Sequence, residues 1–242
     1  MHPTYFIDPK WINEIKGKPF YYPCAGNDLD EPIQIFGKIS SELWFCDPFY
    51  PRGLKIGRAI KYDNNLNIKF LSSRIDGNAE AVMENRNGYR FIEPSRKYEE
   101  YEYEGGKKVT IIRRRGFGQI GLYEEFADNS LGIFMHRGDS QGEGGSNVYF
   151  FKNFKSNYGK IGNLANLVAR KISKRALIIS DGSNSPKGHY IRKYHNKNNI
   201  NGADAYKNLL GKNYKRDGFL WECVGYLGRK YGPTLVWGVS KI

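Results

Sequence analysis

Two apolar runs, each stopped abruptly by a small or acidic residue, constrain the fold more than any other feature of the sequence. They lie in the stretch FYYPCAGNDLDEPIQIFGKISSELWFCDPFY, at residues 20–25 and 43–46. Each run has the length and composition of a buried strand. The first stops at Gly26 and the second at Asp47. The sequence therefore predicts two core strands with small or polar residues at their carboxyl ends.

The residues between the two runs predict a helix. Asp28 or Asp30 can cap it, Pro32 suits its first turn, and Ile33 and Phe36 begin an apolar stripe at helical spacing. A strand, a helix and a strand in this order imply a parallel pair joined by a right-handed crossover.

The rest of the chain continues the mixture of strands and helices. Apolar runs and helical spacing predict a strand at 67–71, hairpin strands at 98–104 and 109–115, a strand at 131–136, a helix at 164–172, a strand at 176–179, a helix at 203–210 and a final hairpin at 219–227 and 234–239. The first hairpin, which turns at Gly105 and Gly106, is interpreted as an insertion at about 90–118. We therefore predict a single α/β domain over residues 1–242. Its Rossmann-like, mainly parallel sheet is flanked by helices, with an inserted β-hairpin around 98–115 and a C-terminal antiparallel hairpin.

The composition indicates a globular protein with an anionic partner. The 242 residues include 38 Lys and Arg against 25 Asp and Glu, a net charge of +13, which favours nucleic acid or an acidic protein, or serves solubility alone. No apolar run reaches the roughly 20 residues of a membrane helix and the first residues lack a signal-peptide pattern, so we expect no membrane association and a cytoplasmic location. Cys24, Cys46 and Cys223 are odd in number and widely spaced, which predicts free thiols, and four scattered histidines predict no metal site.

The residues that end the first two strands predict a ligand site. In open α/β sheets, ligands bind outside the carboxyl ends of the strands. Gly26 would let a ligand reach the backbone, and Asp47 can accept hydrogen bonds from two ribose hydroxyls. The two residues are 21 positions apart, near the roughly 20 expected between a glycine turn and a ribose-binding acid. The spacing indicates recognition of a nucleoside, with a plain turn glycine and a capping acid as the open alternative.

Three segments carry a resemblance to a known family. PCAGND stands in the place of a glycine-rich first motif, WFCD in the place of an acidic second-strand end, and FLWECVGYLGRKYGPTLVWGV in the place of a terminal antiparallel hairpin. In these segments the chain resembles the Rossmann-like class I S-adenosylmethionine-dependent methyltransferases. The resemblance implies S-adenosylmethionine as cofactor, with Ala25 and Gly26 near its methionine part and Asp47 at its ribose. Asp28 is a further cofactor-binding candidate, or else the cap of the helix. The chain departs from the family in having one glycine in the first motif and no Asn/Asp-Pro-Pro-Tyr motif after the fourth strand.

The loop RGDSQGEGGSN, residues 137–147, supplies the candidate catalytic residues. Asp139 and Glu143 can act as acids or bases or bind a cation, and His136 comes directly before the loop. The four glycines of the loop let the backbone approach a ligand or direct amides at an anion. A plain glycine-rich connection explains the same residues. A hydrolase that uses Ser140 or Asp139 is a further alternative.

Two later segments supply the candidate substrate-binding residues. Ser180 and Asp181 begin SDGSNS after a predicted strand, where a turn is the other interpretation. Tyr190 and Arg192 lie in GHYIRKYHNKNN, whose rings and cations suit contact with bases and phosphates, or a solvated loop. Three functions therefore stay open: a methyltransferase-like protein, a non-catalytic basic protein that binds nucleic acid or an acidic partner, and a hydrolase.

Overall fold

Strands predominate over short helices in the computed structural model. The structure describes residues 5–26, 28–48, 50, 68–77, 84–86, 89–91, 94–136, 164–180, 202–216, 218–227 and 234–242. The helices are α1 (Pro9–Ile15), α2 (Asp30–Phe36), α3 (Gly118–Glu125), α4 (Leu164–Lys171) and α5 (Gly202–Leu209). The strands are β1 (Phe6–Ile7), β2 (Phe20–Pro23), β3 (Glu42–Asp47), β4 (Ile68–Asp76), β5 (Glu84–Arg86), β6 (Tyr89–Phe91), β7 (Arg96–Tyr103), β8 (Lys108–Arg115), β9 (Leu131–His136), β10 (Ile172–Ser180), β11 (Asn213–Arg216), β12 (Phe219–Leu227) and β13 (Thr234–Lys241).

The chain packs into two units, termed the continuous unit (Gly17–Phe126) and the split unit (Met1–Lys16 with Ala127–Ile242). In the continuous unit the strands pair in the order β2-β3-β8-β7-β4. β3 is parallel to both β2 and β8, whereas β7 is antiparallel to both β8 and β4. β5 and β6 form a separate antiparallel pair. The carboxyl ends of β2, β3 and β8 therefore lie at the same edge of this sheet.

Helices pack against both faces of β2 in the continuous unit. Phe20 of β2 stacks on Phe36 of α2, with ring centroids 5.3 Å apart. The next residue, Tyr21, donates its hydroxyl to the carbonyl of Gly118 in α3 at 2.6 Å. Because successive residues of a strand point to opposite faces, α2 and α3 lie on opposite faces of the sheet. This double burial explains the unbroken apolar run at the start of β2.

Among the described strands of the split unit, one pair is parallel and the others are antiparallel. β9 and β10 are parallel, and antiparallel pairs lead from β10 through β13 to β12. β12 also pairs with β1 and β11. Trp11 of α1 lies directly against β13, where a Cβ on Gly238 would come within 2.3 Å of the indole. The carboxylate of Asp8 accepts a hydrogen bond from the Lys10 N–H at 2.9 Å, and Pro9 occupies the first helical turn.

The predicted fold class is wrong. Among the described strands antiparallel pairs outnumber parallel ones, and short helices of seven or eight residues replace those expected to flank a mainly parallel Rossmann-like sheet. The hairpin around 98–115 is not an insertion, because β8 lies between β3 and β7 and pairs with both. The three consecutive arginines that end β8 are all buried.

Several local elements were predicted correctly. The first strand, the helix after it and the second strand are present as β2, α2 and β3, and the two strands are parallel. The strand at 131–136 has the predicted bounds, and the chain ends in an antiparallel pair, β12 and β13. The single domain over residues 1–242 stays a prediction, and each unit is described by itself.

Candidate functional site

The loop that follows β2 has an unusual backbone conformation. Cys24 has φ +54° and Gly26 has φ +51°, both in the left-handed region. A side chain other than glycine in that region costs roughly 1–3 kcal/mol, and such strain is concentrated at functional sites. Among the described residues other than its chain neighbours, none has an atom within 4 Å of the position that a Cβ on Gly26 would occupy. The backbone of Gly26 can therefore be approached closely from that side.

The carboxyl ends of β2 and β3 bring Gly26 and Asp47 together, as the sequence predicted. Pro23 is paired with Cys46 in the parallel register, and the Gly26 N–H donates to Asp47 Oδ2 at 3.2 Å. The Ala25 N–H donates to the Cys46 carbonyl at the same distance. The backbone of the loop is thus attached to the end of β3 by two hydrogen bonds.

Tyr50 holds the loop from its other side. Its hydroxyl donates a hydrogen bond to the Gly26 carbonyl, and its side chain is fully buried. Burial, followed by the negative charge of Asp47, raises the pKa of Tyr50 well above its usual range. The hydroxyl therefore keeps its proton and remains a donor. Sequence reasoning missed this residue, although it ends the same stretch, three positions after Asp47.

Acidic residues dominate the loop and the start of α2. Asp28 is buried and its Oδ2 accepts a hydrogen bond from the Tyr22 hydroxyl at 2.9 Å. Asp30 and Glu31 occupy the first turn of α2. With Asp47, four carboxylates belong to this site. Carboxylates accept hydrogen bonds and attract cations, so the loop suits a ligand with hydroxyl donors or positive charge.

Buried arginines lie next to these acids at the end of β8. Arg115 is paired with Asp47 in the parallel register of β3 and β8. Arg113, two residues earlier, points to the same face and is completely buried, with Glu99 3.4 Å from its guanidinium. Burial is the main influence on Arg113 and lowers its pKa, while Glu99 opposes that shift. Sequence reasoning missed both arginines as parts of the site. The sequence signal that could have identified them is the run of three arginines directly after the apolar pair Ile111 and Ile112.

The predicted catalytic and substrate-binding residues do not belong to the loop between β2 and α2. His136 and Ser180 end β9 and β10 in the split unit, where they are paired in the parallel register and buried. Asp139, Glu143, Asp181, Tyr190 and Arg192 lie outside the described residues, as does Ser140 of the alternative hydrolase site. The catalytic and substrate-binding roles stay predictions.

Cys24, Cys46 and Cys223 are all free thiols, as predicted. Within the described part of the chain, no three His, Cys, Asp or Glu side chains converge as a metal site. None of the helices described there is long and apolar enough to span a membrane.

No protein-family model matches the chain, and no curated protein shows significant similarity to it.

Proposed function

We propose that the chain is a methyltransferase-like protein that binds the nucleoside-containing cofactor S-adenosylmethionine at the loop between β2 and α2. One observation carries the proposal. The backbone of Gly26 and the carboxylate of Asp47 are in direct contact at the ends of neighbouring parallel strands. A ligand at this edge would meet an open glycine backbone and an acid that can accept from ribose hydroxyls.

The charges around the loop favour this cofactor over a phosphorylated nucleotide. The four carboxylates, those of Asp28, Asp30, Glu31 and Asp47, outnumber the two neighbouring arginines, Arg113 and Arg115. Their excess of negative charge would repel phosphate groups but attract the sulfonium and ammonium groups of S-adenosylmethionine. Hydrogen bonds from ribose hydroxyls to a carboxylate are charge-assisted and therefore strong. The acidic loop is thus better suited to a cationic nucleoside than to a dinucleotide.

Each residue of the site has a distinct part in the proposal. Asp47 accepts from the ribose, while Cys24, Ala25 and Gly26 form the surface under the methionine part. Tyr50 keeps the Gly26 carbonyl in place and so positions the loop. The cofactor, when bound, supplies the methyl group. His136, Asp139 and Glu143 are proposed to take a proton from the acceptor.

Calorimetry with S-adenosylmethionine and with its demethylated product tests the proposal, with ATP as the phosphorylated comparison. We expect binding of the first two ligands and weaker binding of ATP. In Asp47→Asn the new amide oxygen can still accept from Gly26, but a charge-assisted bond worth about 1.5–3 kcal/mol is lost, so affinity falls roughly tenfold or more.

Glu42→Gln is the matched control, because it removes a carboxylate from the opposite end of β3. It should leave the affinity unchanged. The absence of heat and of thermal stabilisation with either cofactor form at about 1 mM would overturn the proposal. Equal affinity of Asp47→Asn and the unaltered chain would do the same.

We also propose a cytoplasmic location. The three free thiols support it, because a reducing compartment keeps cysteines unpaired.

A further inference from the structure

Almost all of the net charge belongs to the split unit. Its residues include 21 Lys and Arg against 9 Asp and Glu, whereas the continuous unit has 17 against 16. The net charges are therefore +12 and +1. Since an excess of this size attracts anions, the split unit is the place to search for an anionic partner.

Strand register gathers part of this charge at one end of the sheet. Arg175 of β10 is paired with Ser240 of β13, and continuing the register by one residue places Lys174 opposite Lys241. Lys241 is in turn paired with Phe219, and Phe219 with Arg216 of β11. Directly paired residues share a face, so these side chains form one row across four strands. The row contains three cations, Lys174, Lys241 and Arg216, and the buried ring of Phe219 on β12. At about 4.8 Å per strand the row is roughly 14 Å long.

A second group of cations adjoins the row at Lys241. The Lys241 ammonium donates to the side-chain carbonyl of Asn129 and lies 3.5 Å from the Arg170 carbonyl oxygen. Arg170 and Lys171, at the end of α4, both contact Asp128 Oδ1, at 3.3 and 3.1 Å. Three cations, Arg170, Lys171 and Lys241, therefore lie near the carboxylate of Asp128, which is half exposed.

The energetics of these cations favour an additional anion. Lys171 is almost completely buried, and burial is the main influence that lowers the pKa of Lys241, with Asp128 opposing the shift. Like charges directly opposite each other on a sheet, such as Lys174 and Lys241, are destabilising. An anion that lies along the row would relieve both costs.

We propose that this end of the sheet binds the phosphate backbone of a nucleic acid. The surface, termed the basic edge, consists of Arg170, Lys171, Lys174, Arg216 and Lys241. A row of cations about 14 Å long matches a regular line of charges, because nucleic acids carry closely and evenly spaced phosphates along their length. A single small anion would engage only part of the row. The inference does not depend on the proposed cofactor site, and the two can fail separately.

Fluorescence anisotropy with a labelled single-stranded oligonucleotide of about 20 nucleotides tests the proposal on the full chain without cofactor. Neutralising about five phosphates gives a salt slope near −3.5, so affinity should fall roughly a hundredfold between about 50 and 200 mM salt. The double variant Lys174→Glu/Arg216→Glu changes two residues of the row, of which Lys174 is exposed and Arg216 is partly exposed. It should weaken binding at least tenfold at low salt and flatten the slope by about 1.4.

The control variant is Lys69→Glu/Lys108→Glu, which makes the same charge change at two exposed positions of the continuous unit. It should bind within about twofold of the unaltered chain. No binding at low salt, or an equal loss in both double variants, would refute the basic edge. Displacement of the oligonucleotide by polyglutamate of equal charge would assign the surface to an acidic protein instead. Retained oligonucleotide binding in Asp47→Asn would separate this surface from the cofactor site.

Discussion

At the end of β8, three successive arginines, Arg113, Arg114 and Arg115, are almost fully buried. Glu124 and Glu125 of α3 both bind the guanidinium of Arg114. Removing one partner of a buried ion pair typically costs about 3–5 kcal/mol, because the other charge is left uncompensated. These residues therefore serve the interior of the continuous unit, and a count of basic residues overstates the cations that a partner can reach.

Burial also changes the acidity of a single thiol, which leads to a prediction about pH. Burial raises the pKa of Cys223 from its ordinary 9.0 to about 12. Between these values the unfolded chain loses the proton while the folded chain keeps it. The contribution of Cys223 to stability is therefore complete below pH 9 and is lost as the pH rises towards 12.

Urea denaturation at about pH 8 and pH 10.5 measures this effect. The unaltered chain should lose roughly 2 kcal/mol of unfolding free energy through this thiol, a loss that Cys223→Ala should not show. For each protein, the free energy of unfolding at about pH 10.5 is subtracted from that at about pH 8. The cost of the cavity in Cys223→Ala is the same at both pH values and therefore cancels. The tyrosines of the continuous unit contribute equally to both proteins, because Cys223 is not a cause of their raised pKa values, whereas its charge is a secondary cause of the raised pKa of Tyr206 and Tyr214. Identical losses in the two proteins would contradict the prediction.

At the scale of elements, α3 shows how close packing takes precedence over helix propensity. Two of its residues are glycines. A Cβ on Gly118 would lie 2.3 Å from Pro23 Cβ, and a Cβ on Gly121 would lie 2.6 Å from the Tyr21 hydroxyl. The helix can therefore approach β2 closely only because both side chains are absent. This approach also places Gly118 to receive the Tyr21 hydroxyl bond.

Gly118→Ala should lower the stability of the protein. Alanine is favoured over glycine in a helix by about 1 kcal/mol, but overpacking against a rigid proline ring costs roughly 1–3 kcal/mol. The midpoint of thermal unfolding should fall, and near-ultraviolet circular dichroism should show altered packing of Tyr21. A raised midpoint would mean that helix propensity outweighs the contact with Pro23.

At the scale of the whole molecule, charge is divided unequally between the two units. With a net charge of +12, the split unit repels itself, whereas the continuous unit at +1 is nearly neutral. Salt screens repulsion between exposed charges over distances near 10 Å at about 0.1 M. The two units should therefore respond differently to ionic strength.

Hydrogen exchange read by mass spectrometry can follow each unit separately. Raising NaCl from about 20 to 300 mM should slow exchange in β9, β10 and β12 of the split unit, because screening removes self-repulsion. Exchange in β3 and β8 should change little, and these strands serve as the internal reference. A uniform change across both units would contradict the prediction.

Much of the local structure follows from the sequence alone. The apolar runs before Gly26 and Asp47 predicted β2 and β3, and the apolar stripe of Ile33 and Phe36 predicted α2. The predicted cap was wrong, because Leu29 is the N-cap of α2 and makes no side-chain cap hydrogen bond. The contact between Gly26 and Asp47 also followed from the two apolar runs, since parallel neighbours end at the same edge. These features depend on residues close together along the chain, or on a connection too short to allow another arrangement.

Only the tertiary structure decided the order of the strands and the partners of the buried charges. Nothing local to residues 108–115 indicates that β8 lies beside β3, because pairing joins segments more than sixty residues apart. Once it lies there, carboxylates from β7 and α3 meet its arginines and make their burial possible. The basic edge arises in the same way, since the register of β10, β13 and β11 aligns cations that are far apart in sequence. Hydrophobic periodicity encodes which face of a strand is buried, but the neighbour of that strand depends on the whole set of competing pairings.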